Sequence, residues 1–111
     1  MDSTFWNHLY SYKRFGHSDN SYPDSFISDY HIISKLVHDK MYSREVGDMF
    51  CEIVGSDDGH DDLCDFIIWN GKQATTDFLS DPKTAMFLAE TMSQHPGFDG
   101  DTNSLKGMIY R

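Results

Sequence analysis

Phe26, Tyr30, Ile33, Val37 and Met41 recur every three or four residues, the interval at which side chains stack along one face of an α-helix. Ile27 and Leu36 flank this stripe, and Ser25 can cap its start, so the spacing predicts a helix ending near Tyr42. A chain committed to this period over several turns is not built mainly from strands. The same interval returns three times. Phe5, Leu9, Tyr12 and Gly16, with Trp6 alongside, predict a first helix through Phe15 behind Asp2 or Ser3 as cap. Val46, Met49, Phe50, Ile53 and Val54 predict another behind Ser43, with Gly55 as its stop. Gly47 weakens that helix by about 1 kcal/mol relative to Ala. Asp81-Pro82 places a capping carboxylate before a proline at the first helical position, and Ala85, Leu88, Ala89 and Met92 carry that helix to about Gln94.

Breaks separate these blocks. Gly16–Asp24 is dense in turn formers and reads as a loop, Ser56–His60 as a turn or cap, and Pro96-Gly97 ends the last helix. Residues 61–76 admit two readings. Leu63, Phe66 and Ile67 lie opposite Asp61 and Asp65 on a helix, whereas Phe66-Ile67-Ile68-Trp69 before Asn70-Gly71 suits a hairpin whose return strand is 72–76. Strict alternation is absent, so helix is favoured over 61–69, with Asn-Gly ending it. The expected fold is mainly α: a single domain spanning residues 1–111, a small bundle of four to six short helices, with a β-hairpin at 66–76 as the alternative.

At 111 residues, 39% hydrophobic and 24% charged, the chain can bury one core and does not belong to the disordered class. No apolar run approaches the roughly 18 residues that cross a bilayer, and the opening MDSTFWNHLYSYKRF lacks the basic start and apolar centre of an export leader. Two cysteines, Cys51 and Cys64, are too few for a disulfide scaffold, so a reducing cytoplasm is expected, in a bacterial cell or phage-infected host. The formal charge of -9 argues against direct binding of nucleic acid and toward a basic protein partner.

The excess charge is concentrated. Between Glu45 and Gly71 there are eight carboxylates (Glu45, Asp48, Glu52, Asp57, Asp58, Asp61, Asp62 and Asp65) and neither Lys nor Arg, while the remaining residues sum to -1. On a helix from Ser43, Glu45, Asp48 and Glu52 stand at i, i+3 and i+7 opposite the apolar stripe, and Asp58, Asp61, Asp62 and Asp65 repeat the pattern on a second helix. Carboxylates so placed lie about 5–6 Å apart at Cβ, similar in scale to phosphates along a strand, and a nucleic-acid-binding surface can accept them. The plainer alternative is a solvated helix face that keeps a small protein dispersed. Fifteen Asp against three Glu leans slightly toward a docking face, because Glu forms helices better and would serve dispersal as well, and caps explain only part of the skew. Aromatic residues crowd the first thirty positions; most belong to the core, and Trp6, Tyr10 or Trp69 can anchor a partner.

Metal chemistry finds weaker support. Cys51, His60 and Cys64, with His38 or His95, are zinc-type ligands, but the nearest thiol and imidazole are the lone i,i+4 pair His60 and Cys64. Asp99-x-Asp101-x-Asn103 matches the opening of a calcium loop, then places Ser104 and Tyr110 where Gly and a bidentate Glu belong. His31 and His38, beside the off-stripe Ile32, form either a contact flank or ordinary exposed polar positions. No recognised catalytic motif is present, and an enzyme is not expected. Glu90–Asp99 resembles the stretch after the second helix of nuclease-colicin immunity proteins, small acidic inhibitors of DNase toxins, over about a tenth of the chain. In that family a short helix with adjacent tyrosines follows; here a polar insert leads to Met108-Ile109-Tyr110, so no residue role is carried over.

The expectation is therefore a small acidic inhibitor that blocks a nuclease or other nucleic-acid-handling complex. Immunity against a toxin and phage anti-defence, such as anti-CRISPR or anti-restriction, are equally suitable settings. The binding residues expected are Glu45, Asp48, Glu52, Asp57, Asp58, Asp61, Asp62, Asp65 and Trp69, with no catalytic group and no cofactor. The competing class is a small calcium- or zinc-binding enzyme or regulatory module.

Overall fold

The structure is a computed structural model that describes residues 4–15, 23–55 and 57–94, without the side chains of 13–15, 57, 58 and 94. Its helices are α1 (Thr4–Phe15), α2 (Asp24–Met41), α3 (Cys51–Val54), α4 (Asp57–Trp69), α5 (Lys72–Ser80) and α6 (Met86–Gln94), with one turn of 3-10 helix at Pro82–Ala85 leading into α6. The protein is a small, mainly helical bundle, and no strand occurs among the described residues.

The α2 stripe forms as spaced: Phe26, Tyr30, Ile33, Val37 and Met41 are all buried. Its start differs from expectation. The helix opens one residue before Ser25, with Pro23 as the capping residue, and the Pro23 carbonyl accepts from the Phe26 and Ile27 N–H groups at 3.0 and 3.2 Å. Aromatic contacts hold α1 on α2: Phe5 stacks on Phe26 at 4.8 Å and Tyr12 meets Phe26 edge-on at 5.1 Å.

The helix expected from Ser43 to Val54 is not continuous. Residues 44–50 form a chain of turns, and only Cys51–Val54 is α-helical. Gly47 sits at φ +52°, in the left-handed region, which an uninterrupted helix does not visit. Ser43 caps the preceding helix rather than starting a new one, its hydroxyl donating to the Lys40 carbonyl at 2.6 Å. The apolar positions nevertheless face inward, with Val46 and Phe50 buried and Met49, Ile53 and Val54 packed against the core.

Residues 66–76 are not a hairpin. Helix α4 runs to Trp69, the Asn70 N–H donates to Phe66 and Ile67 carbonyls, and Gly71, at φ +105°, turns the chain into α5. Thr75, buried on α5, shares its hydroxyl proton between the Gly71 and Ile67 carbonyls at 2.9 and 3.3 Å, joining α5 to the end of α4. Asp81 caps the next turn as expected, accepting from the Lys83 N–H at 3.2 Å. Helix α4 occupies the middle: α2, α3, α5 and α6 all pack on it. At its start it approaches α3 so closely that a Cβ added to Gly59 would lie 1.9 Å from the Val54 carbonyl oxygen.

Because Gly47 supplies a positive φ, Gly47→Ala is expected to destabilise the fold by about 1–2 kcal/mol. A regular helix there would gain about 1 kcal/mol from the same change. The urea midpoint at unchanged slope measures which sign holds.

Candidate functional site

The acidic segment folds against the C-terminal end of α2. Tyr42 donates its phenolic proton to Asp61 Oδ1 at 2.6 Å, and His38 Nε2 lies 3.5 Å from the same oxygen. His38 Nδ1 is 2.8 Å from the Ser34 carbonyl oxygen, to which it donates, so a second proton on the ring would point at Asp61. Glu45 pairs with Lys40 across the turn after α2. The left-handed Gly47 falls between Glu45 and Asp48, so Glu45, Asp48 and Glu52 do not form the expected helical ridge.

Asp65 departs furthest from expectation. It is 4% exposed, and Tyr30 donates to its Oδ1 at 3.2 Å from within the α2 stripe. A carboxyl placed there is a core group satisfied by hydrogen bonding, so it is removed from any docking face. Asp48 and Glu52 are exposed, Asp61 and Asp62 are half-buried, and Asp57 and Asp58 lie in the first turn of α4 with side chains outside the described residues. That turn is a favourable place for carboxylates because the helix dipole is positive there.

Trp69, at the other end of α4, lines a cleft of about 230 Å³ with Trp6, Tyr10 and Lys72. All three aromatic anchors singled out in the sequence thus meet at one place. A second cleft of about 240 Å³ lies beyond Trp6, between Leu36 on α2 and Leu79 on α5, and Lys72 borders both. Eight residues separate Asp61 from Trp69 on α4, so the acidic and aromatic surfaces lie about 12 Å apart along its axis.

The zinc-type ligands among the described residues do not converge. Cys64 is wholly buried, and burial, reinforced by the Asp61 and Asp65 carboxylates, pushes its thiol pKa up, away from the thiolate a metal requires. His60 faces Cys51 instead, with Nε2 3.9 Å from Sγ. Among the described residues no group of three or more His, Cys, Asp or Glu side chains is placed to hold a metal ion. His95, Asp99, Asp101 and Asn103 lie outside the described residues. Sequence reasoning grouped Cys51 with His60 only as candidate zinc ligands and missed the chain Ser34–His38–Asp61–Tyr42. The i,i+4 spacing of Ser34, His38 and Tyr42 was the available signal for that chain.

No helix among the described residues is long and apolar enough to cross a membrane. No protein-family model, curated protein or solved structure matches the chain.

Removing the phenol that serves Asp65 tests its burial. Tyr30→Phe is expected to cost about 1.5–3 kcal/mol in chemical unfolding. Tyr42→Phe, which breaks the bond to the more exposed Asp61, is expected to shift the midpoint less.

Proposed function

We propose that this protein is a small acidic inhibitor that docks on a basic, nucleic-acid-handling protein and occupies the surface that would otherwise contact phosphates. The observation that carries this reading is the charge distribution: eight of the eighteen carboxylates fall between Glu45 and Asp65 with no Lys or Arg among them. The docking set is narrower than the full run. Asp48, Glu52, Asp57, Asp58, Asp61 and Asp62 form it, Asp65 belongs to the core, and Glu45 is partly neutralised by Lys40.

Two surfaces divide the work. Carboxylates at the start of α4 steer the encounter and compete for Arg and Lys, an effect that acts mainly on association. The cleft of Trp6, Tyr10 and Trp69 supplies large, rigid contact area at the other end, which acts mainly on dissociation. A nuclease toxin and a host defence complex present the same chemistry to such a molecule, and the mechanism is common to both settings.

Capture from lysate of a candidate host, followed by binding kinetics with the protein retained, tests the reading. Changing Asp57, Asp58, Asp61 and Asp62 together to Asn is expected to slow association about tenfold at low salt, to flatten its salt dependence, and to leave helix content unchanged. Unchanged rate and affinity in that variant would refute the acidic mechanism. Tyr10→Ala is expected to speed dissociation about tenfold with the salt dependence intact.

A further inference from the structure

Cys51 and His60 meet at a cleft of about 320 Å³ that also borders Tyr42, Arg44 and Gly47. We propose that Cys51 is a nucleophilic, modifiable thiol whose proton His60 accepts, and that the cleft admits a small disulfide to it. Three independent features converge on this assignment. The Sγ–Nε2 separation is 3.9 Å, the loose contact typical of thiol–imidazole pairs before a reactant arrives. Cys51 is exposed, whereas His60 is 7% exposed and held by α4, so the base is fixed and the nucleophile is accessible. Their spacing is set by backbone: the close approach of Gly59 to the Val54 carbonyl fixes the start of α4 against the end of α3.

The reaction is thiol–disulfide exchange. The Cys51 proton passes to His60 Nε2, Sγ attacks one sulfur of the disulfide, the old S–S bond breaks as the new one forms, and the departing thiolate takes the proton from His60. Cys51 is oxidised to a mixed disulfide and the leaving sulfur is reduced to a thiol. Ionisable groups on the surrounding segments are Tyr42, whose ring centre is 6.2 Å from that of His60, Arg44 in the cleft, Asp48 and Glu52 before and on α3, Asp57, Asp58, Asp61 and Asp62 on α4, His38 beside Asp61, and Glu90 on α6, which packs on α3. Cys64, buried with its thiol pKa raised, provides an unreactive comparison in the same chain. The inference is independent of the docking function proposed above.

Iodoacetamide labelling and cystamine exchange on the whole folded protein, with each cysteine followed by peptide mass, test it. At about pH 7 folded Cys51 is expected to label at least about tenfold faster than Cys51 in the urea-unfolded chain, while Cys64 labels only after unfolding. Cystamine is expected to place a mixed disulfide on Cys51. His60→Gln is expected to remove the advantage at about pH 7. Folded Cys51 reacting no faster than unfolded, or an unchanged rate in His60→Gln, overturns the proposal, as does labelling without exchange. Should His60→Gln expose Cys64, and so report a loosened fold, the folded-against-unfolded comparison on the native chain decides.

Discussion

Leu63, Cys64, Ile67 and Ile68 are wholly removed from solvent on α4, and Asp65 between them is nearly so. A helix buried on most of its circumference is the element against which the others are fitted, since α2, α3, α5 and α6 each need part of its surface to cover their own apolar faces. The other placements follow from that demand. Tyr30 must bring a donor to Asp65, Thr75 must return its hydroxyl to the Ile67 carbonyl, and Gly59 must lack a side chain where α4 meets α3.

That geometry explains what the sequence reveals and what it conceals. An outer helix with one covered face, such as α2, advertises itself by a single stripe, and each of its stripe residues is buried. Helix α4 has no comparable open face, so the rule that carboxylates mark the solvent side placed Asp65 wrongly; a donor distant in sequence, Tyr30, helps to make its burial tolerable. Helix α5 escaped notice because Lys72-Gln73-Ala74-Thr75-Thr76 offers almost no apolar rhythm, and its inward residues are Thr75 and Phe78. In residues 44–50 the inward positions were legible although the backbone was not, because the turns on either side of the left-handed Gly47 still bury Val46 and Phe50.

The carboxylate run was readable as composition but not as a surface. Spacing marks Ser34, His38 and Tyr42 as one face but does not name Asp61 as what that face holds, nor Lys40 as the partner of Glu45, because both contacts depend on how the chain turns after α2. The aromatic anchors fared better. Trp6 and Tyr10 are four residues apart on α1, and the Asn-Gly break after Trp69 brings that ring to the same cleft.

Both tryptophans of the chain, Trp6 and Trp69, border that one cleft. The protein therefore carries an intrinsic fluorophore pair confined to a single pole. Emission colour and quenching report whatever seats itself beside Lys72, and events around Asp61 and Cys51 register only if they travel the length of α4.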